Sequence, residues 1–326
     1  YKRQTLPIEA LLAAGLTPVD LNNAFINGPD TEADMGAAES AGFPRSMCAW
    51  IQGIYGTVKR LGIRRVVGVL QGDCSYTEGL MDVLEHEGYE VTGFRFPERP
   101  DEERMRNEIT ALAGNFGVSF DAVQEKYEEL RPLREKLRAA DEFAAEGRMT
   151  NREIFELLIN ASDFRGRPAE YMDKVSLALA RAEERPPAPC VLKLAMAGIP
   201  AAFTDIYDFL ESRGVRIVYN EMPAEFAMLR PARDIVQQYT EYTYPYGFRH
   251  RMERIRQEVR RRGAAGVVHY VQTFCYRGMH DRLLREGVGV PVVTLEGDRP
   301  APVSRREETR LEAFIEMLLE REQKPS

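Results

Sequence analysis

Strand and helix patterns alternate at both ends of this chain, and the alternation stops between residues 101 and 184. Near the amino end, the β-branched run Arg65–Leu70 predicts a buried strand, and a second strand is predicted at Tyr89–Phe96 after a helix. Near the carboxyl end, strands are predicted at Gly266–Val271 and Val290–Leu295, again with a helix between them. Because strands that alternate with helices form parallel sheets, the predicted fold is α/β, with two Rossmann-like (flavodoxin-like) lobes joined by a helical segment.

Composition predicts the limits of these parts. A length of 326 residues corresponds to about two domains at ~150 residues per domain. The proline-rich stretch Glu184–Pro189 is a natural break. We therefore predict an α/β lobe over 1–100, a charged and amphipathic helical segment over 101–185, and a second α/β lobe over 186–326.

Charge and hydropathy argue against two kinds of partner. The chain has 44 basic and 51 acidic residues and a net charge of −7, whereas binding of nucleic acid without sequence preference requires a basic face. The longest stretch without a charged residue, Gly263–Tyr276, has 14 residues, and a membrane span needs ~20. Glu9 interrupts the first apolar run, which argues against a signal peptide. We expect a cytoplasmic protein that binds neither nucleic acid nor membrane.

The four cysteines, Cys48, Cys74, Cys190 and Cys275, are too few for a disulfide framework and contain no CxxC pair. Two predicted strands lead into a cysteine, in VVGVLQGDC and VVHYVQTFC, so Cys74 and Cys275 are expected at strand ends where α/β folds gather functional groups. Cys48 is expected in the first turn of a helix over Ser46–Leu61, where the helix dipole favours a thiolate. Cys190 begins a predicted strand, at the opposite edge of the sheet, and is interpreted as a structural thiol.

Three thiolates at such positions could hold an iron–sulfur cluster in the cleft between the lobes, because cysteine thiolate is the usual cluster ligand. Four ligands are the normal number, so three would leave one iron open to water or substrate. The residue pattern also leaves open the alternative that these cysteines are inert thiols of the core.

Loops that follow strands supply weaker candidates for substrate binding. Gly198 and Pro200 lie where a strand ends, and the backbone of this loop could approach a ligand; a plain turn is the alternative. Glu221 follows the strand predicted at Val215–Tyr219, where a carboxylate could handle protons, although a solvated loop acid is the alternative. No catalytic residue can be assigned from the sequence.

Several motifs are absent from the sequence. There is no G-x-x-x-x-G-K-[ST] phosphate loop, so a reaction that consumes ATP would need another protein. No glycine-rich dinucleotide fingerprint follows a strand, which disfavours hydride transfer. The four histidines show no HExxH or paired spacing, which disfavours a zinc hydrolase; they are His86, His250, His269 and His280.

A series of segments, in order along nearly the whole chain, resembles one protein family. The segments include LPIEALLAAGLTPVDL, DCSYTEGLMDVLEHEGYEVTGFRFP, GRMTNREIFELLINASDF, LAMAGIPAAFTDIYDFLESRGVRIVYNE and GVVHYVQTFCYRGMHDRLLREGVGVPVVTLEGD. In these segments the chain resembles the iron–sulfur subunits of the 2-hydroxyacyl-CoA dehydratases and benzoyl-CoA reductases. The family's three cluster cysteines match Cys48, Cys74 and Cys275. Many relatives have Cys-Asp after the second strand, and this chain departs from them with Asp73-Cys74.

The resemblance implies the chemistry as well as the fold. It implies a [4Fe–4S] cluster held between the lobes, a dimer formed with itself or with a sequence-related subunit, and an acyl-CoA substrate. It further implies an ATP-hydrolysing iron–sulfur activator that delivers one low-potential electron, so that a ketyl radical of the thioester releases hydroxide. The alternative is a relative that reduces another small molecule, or a subunit that carries electrons for its partner without dehydratase activity.

Overall fold

The computed structural model describes residues 6–72 and 74–323, and the chain divides into two compact units. The first unit comprises Tyr1–Leu137, Ile159–Val175 and Glu225–Gly247, and the second comprises Arg138–Leu158, Ser176–Ala224 and Phe248–Ser326. Each unit contains one parallel sheet. The predicted α/β class with two parallel sheets is therefore confirmed, and both units take residues from the predicted helical segment.

The sheet of the first unit has two strands. β1 (Arg65–Gln71) pairs in parallel with β2 (Glu90–Arg95), with Val66 opposite Val91. The interior of β1 is buried, as its run of valines and leucine predicts. The helices before and between these strands are α1 (Ile8–Ala13), α2 (Leu21–Ile26), α3 (Thr31–Ser40), α4 (Ala49–Arg60) and α5 (Ser75–His86).

Between β2 and the next strand, the described residues form helices and no strand, as predicted for this segment. The helices are α6 (Glu102–Asn115), α7 (Phe120–Glu146), α8 (Asn151–Ile159) and α9 (Pro168–Glu184). The sequence Thr150-Asn151-Arg152-Glu153 predicts a capping box before α8, and both of its hydrogen bonds are present. The Thr150 N–H donates to Glu153 Oε2 at 2.9 Å, and the Glu153 N–H donates to Thr150 Oγ1 at 3.1 Å. Among the described residues, no helix is long and apolar enough to cross a membrane.

The sheet of the second unit has four parallel strands, β3 (Leu192–Gly198), β4 (Val215–Asn220), β5 (Gly266–Gln272) and β6 (Val292–Gly297), in the order β4-β3-β5-β6. The chain runs from β3 to one side and then returns to the other, so the order reverses between β3 and β5. Ligands of such sheets bind outside the carboxyl ends of the strands at this reversal. The remaining helices are α10 (Ile206–Ser212), α11 (Glu221–Phe226), α12 (Ile235–Thr240), α13 (Phe248–Arg262), α14 (Asp281–Gly287) and α15 (Arg305–Gln323).

Alternate residues of β5 enter two different cores, one on each face of the sheet. Val268 and Tyr270 pack in a cluster with residues of α10 and α15, among them Ile206 and Leu311. Val267 packs on the opposite face in a cluster with residues of α13 and α14. A strand covered on both faces is mostly apolar, which is why β5 is recognisable in the sequence.

The sequence also predicts a short strand at Thr17–Leu21, and this prediction is wrong. Residues 16–20 form no strand, and α2 begins at Leu21. Pro18 has no N–H to donate to a sheet. Asp20 instead caps the helix by accepting from the Asn22 N–H at 2.9 Å, and its own N–H donates to Asp163 Oδ2 at 2.7 Å. One local bond and one bond to a residue distant in the sequence therefore replace the strand that the β-branched residues favoured.

Candidate functional site

Cys48, Cys74 and Cys275 occupy the same backbone position, the residue immediately before a helix. Cys48 precedes α4, Cys74 precedes α5, and Cys275 precedes a short 3₁₀ helix over Tyr276–His280. Each cysteine carbonyl accepts a hydrogen bond from the N–H three residues later, at 2.9 Å for Cys48 and Cys74 and at 3.0 Å for Cys275. The N–H groups and dipole at a helix start favour a thiolate over a thiol.

The predicted start of the helix at Ser46 needs a correction. The helix starts at Ala49, so Cys48 lies just before its first turn, as the N-cap residue. The loop before Cys48 is held by Gln52, whose side-chain amide donates to the Pro44 carbonyl at 2.9 Å. The thiol is thus placed at the start of the helix by a fixed loop.

Cys48 and Cys74 share one side-chain cluster in the first unit. Cys48 is 1% exposed and lies among apolar side chains that include Leu21, Trp50 and Leu80, and Cys74 packs against the same cluster while remaining partly exposed. The Cys74 Sγ lies 3.8 Å from the hydroxyl oxygen of Thr77. The structure therefore brings these two predicted ligands into one part of the unit.

The backbone before Cys74 requires glycine. Gly72 has φ +97°, and a Cβ at this position would lie 2.6 Å from the Cβ of Pro245. Asp73, where the chain departs from the family pattern, lies outside the described residues. The strand β1 is thus followed by a bend at Gly72 that only glycine adopts without strain.

Cys275 lies at the carboxyl end of the second sheet, three residues after β5 ends. Phe274, just before it, has φ +64°, a conformation that non-glycine residues rarely adopt and that recurs at functional sites. The neighbouring strand β3 ends at Gly198, which lies opposite Tyr270 of β5. Cys275 and the loop that begins at Gly198 therefore follow adjacent strands, on either side of the point where the strand order reverses.

The structure joins two of the three predicted substrate-binding residues. The backbone N–H of Gly198 donates to Glu221 Oε2 at 2.9 Å. Glu221 is buried, and its two oxygens also accept from the Arg251 guanidinium at 2.8 and 2.9 Å. Pro200 follows in the same loop and is partly exposed. Glu221 therefore fixes the turn after β3, and contact of these residues with a substrate stays a prediction.

Sequence reasoning missed a polar pair in the second unit, His269 and Asp281. The His269 Nδ1 lies 2.9 Å from Asp281 Oδ1, and Arg285 donates to Asp281 Oδ2 at 2.7 Å. The Thr294 hydroxyl also bonds Asp281 Oδ1. Burial raises the pKa of Asp281, but the bonds from His269, Thr294 and Arg285 outweigh it and hold that pKa far below its ordinary value. No spacing motif marks a histidine in a strand and an aspartate at the start of the next helix.

Cys190 lies elsewhere in the second unit. It precedes β3, which begins at Leu192, and so lies at the amino end of the strand whose carboxyl end is Gly198. It does not precede a helix. Its exclusion from a metal site stays a prediction. Among the described residues, no group of three or more His, Cys, Asp and Glu side chains is arranged to hold a metal ion.

Comparison with known protein families identifies one to which the chain is similar over most of its length. The family described as 2-hydroxyglutaryl-CoA dehydratase, D-component, matches residues 5–318 of the 326. No curated protein matches the chain. The matched region includes Cys48, Cys74 and Cys275.

Proposed function

We propose that this chain, which belongs to the 2-hydroxyglutaryl-CoA dehydratase D-component family, is the iron–sulfur subunit of an enzyme that removes water from a 2-hydroxyacyl-CoA. In this proposal Cys48, Cys74 and Cys275 are the protein ligands of one [4Fe–4S] cluster. The observation that carries the proposal is the shared position of these three cysteines, each at the start of a helix.

The chemistry of this donor set fits the cluster. Iron–sulfur clusters are held by thiolates, and the start of a helix is where a protein lowers the cost of keeping a thiol deprotonated. Cys74 and Cys275 are partly exposed and follow parallel strands, as groups that meet a ligand do in α/β folds. Cys190 has none of these features except partial exposure. When bound, the cluster would supply single low-potential electrons and an iron with an open coordination position.

The chain's own residues would shape the substrate site at the carboxyl end of the second sheet. We propose that the backbone of the loop from Gly198 to Pro200 approaches the acyl-CoA. The buried Glu221 holds the first residue of this loop through the bond to its N–H. Because Arg251 neutralises Glu221, the carboxylate is held in place without a net charge in the interior.

The description of the family as a D-component implies a partner component. We propose that this partner is a sequence-related subunit, in a homodimer or a heterodimer. The electron would come from a separate ATP-dependent iron–sulfur activator, since the sequence has no phosphate loop of its own. We also propose a cytoplasmic location, as expected from the charge and hydropathy of the sequence.

The test is dehydration under anaerobic conditions. Purified protein with its iron retained is mixed with activator, ATP, reductant and 2-hydroxyglutaryl-CoA or other 2-hydroxyacyl-CoA esters, and the enoyl-CoA product is measured. We expect product that depends on both ATP and activator. Acyl-CoA binding without dehydration, or reduction of another substrate, would favour a benzoyl-CoA-reductase-like or electron-carrying subunit instead. No affinity for any acyl-CoA would overturn the proposal.

A further inference from the structure

His269 lies in the middle of β5, at the sheet that carries the proposed substrate loop. It is 3% exposed and lies opposite Ala197 of β3 on one side and Thr294 of β6 on the other. A Cβ placed on Gly198 would lie 3.1 Å from the Cδ2 atom of the His269 ring. The ring of His269 therefore lies beside the glycine at which β3 ends, with its Cδ2 atom nearest.

The partners of Asp281 fix the tautomer of His269. Asp281 accepts from Arg285 and from the Thr294 hydroxyl, and its low pKa keeps it ionised. An ionised carboxylate accepts hydrogen bonds and donates none. The Nδ1 atom that lies 2.9 Å from it must therefore carry a proton, so the tautomer with its lone pair on Nε2 is the one that this contact selects.

The Nε2 atom of His269 makes no hydrogen bond within the part of the chain that the structure describes. The ring bonds Asp281 through Nδ1 and has no other hydrogen-bond partner there. A ring nitrogen without a protein partner can bond a ligand or water. The ring also lies beside Gly198, the last residue of β3, where the proposed substrate loop begins.

The His269 ring bonds Asp281 of α14, which also pairs with Arg285, and it interacts electrostatically with His280 of the 3₁₀ helix. His280 in turn interacts with the charges of Arg251, Arg277 and Glu221. Burial, together with the charges of Arg251 and Arg277, lowers the pKa of His280 to about 4. His280 is therefore neutral near pH 7 and does not add a positive charge beside His269.

We propose that Nε2 of His269 accepts the proton that leaves C3 of the 2-hydroxyacyl-CoA, and that Asp281 is the positioning residue of this base. In the proposed reaction, the electron from the activator reduces the thioester to a ketyl radical, which expels hydroxide from C2 with the electron pair of the C–O bond. The C3 proton of the resulting radical passes to Nε2, the electron pair of the C3–H bond completes the C2=C3 double bond, and the added electron returns to its donor. The proton on Nε2 then joins the hydroxide as water, so atoms and charge balance and the electron is recovered. The inference rests on the proposed function, because it assigns a residue to that reaction.

The tautomer is tested first, without cluster or substrate. The chain has four histidines, so nitrogen-15 spectra assign the His269 ring by the signals lost in His269→Gln. We expect wild-type His269 to be protonated at Nδ1. In Asp281→Asn, Arg285 should hold the amide oxygen and turn the amide NH₂ to the ring, which moves the ring proton to Nε2. A wild-type ring already protonated at Nε2 would overturn the inference.

Turnover and isotope exchange test the catalytic role. With 2-hydroxyglutaryl-CoA, we expect His269→Gln and Asp281→Asn to lower both turnover and exchange of the C3 hydrogen with D₂O by about 10²–10⁴-fold. Asp205→Asn is the matched control, since Asp205 is a partly exposed carboxylate of the same unit that accepts from the Val303 N–H at 2.7 Å. Its activity should equal wild type. Circular dichroism compares the folding of all three variants.

The outcomes separate this inference from the proposed function. If the wild type dehydrates the ester and folded His269→Gln or Asp281→Asn keeps its rate within a few fold, His269 is a structural residue and only this inference falls. If the wild type with full iron dehydrates none of the esters, the proposed function falls and takes the inference with it.

Discussion

The backbone N–H of Gly198 and the carboxylate of Glu221 are joined by a hydrogen bond of 2.9 Å. This bond links the end of β3 to the start of α11, and Arg251 compensates the charge of Glu221 from α13. Three elements of the second unit therefore meet at one buried carboxylate. The turn that opens the proposed substrate loop depends on this ion pair.

Removing the charge of Glu221 should therefore destabilise the protein strongly. In Glu221→Gln, the guanidinium of Arg251 would remain buried without a counter-charge, and we expect a loss of about 3–5 kcal/mol in the free energy of unfolding. Urea unfolding measures this loss. The matched control is Glu286→Gln, which removes an exposed partner of Arg282 and should change little. Equal shifts in the two variants would show that Glu221 does not hold the turn.

Gly198 should not tolerate a side chain. It has φ +105°, and a Cβ would lie 2.1 Å from the carbonyl oxygen of Tyr270, which belongs to the sheet and cannot move aside. We expect Gly198→Ala to cost at least about 1–3 kcal/mol from backbone strain. The comparison is Gly79→Ala in α5, where a Cβ meets no atom within 4 Å and alanine should stabilise the helix by about 1 kcal/mol. Thermal unfolding should therefore shift in opposite directions, and a Gly198→Ala protein as stable as wild type would contradict the geometry.

The free energy of unfolding should fall as the pH rises from about 4 to about 6, because of Asp163. Burial and the neighbouring Asp20 carboxylate raise the pKa of Asp163 to about 6, against hydrogen bonds from the N–H groups of Asp20 and Arg165. In this window the folded chain keeps a proton that the unfolded chain has lost. The contribution of Asp163 to the free energy of unfolding is fully present below about pH 4 and is lost as the pH rises through 6. The loss is about 3 kcal/mol, at about 1.36 kcal/mol for each unit by which the pKa is raised.

Asp163→Asn should remove this part of the pH dependence of the unfolding free energy. Asp208→Asn is the control, because the bond from Arg152 lowers the pKa of Asp208. A lowered pKa gives stability that is present above the unfolded value and lost as pH falls, so this variant should keep the wild-type slope from pH 4 to 6. The same slope in both variants would contradict the assignment to Asp163.

The sequence predicts best those elements that are decided by burial and periodicity. The helical spacing of apolar residues predicts a helix over 248–262, and α13 spans Phe248–Arg262. β5 was predicted to within one residue because both of its faces are covered. The strand expected at Thr17–Leu21 failed because Asp20 and Asp163 form side-chain bonds 143 residues apart, which local propensity cannot reveal.

The candidate site was predictable in part for the same reason. The positions of Cys74 and Cys275 after strands follow from the strand pattern, and both precede helices as well. The pair His269 and Asp281 depends on how the turn after β5 returns α14 to the sheet, and no spacing rule contains that turn. The partnership of Glu221 with Arg251 spans 30 residues and likewise needs the folded chain.

The central claim is that three cysteines bind one cluster, and iron content tests it most directly. Each cysteine is replaced by serine, the four variants are purified anaerobically, and iron is measured per chain. We predict that Cys48→Ser, Cys74→Ser and Cys275→Ser lose most of the iron, whereas Cys190→Ser keeps the wild-type amount. Unchanged iron in Cys275→Ser, or loss of iron in Cys190→Ser, would contradict the account.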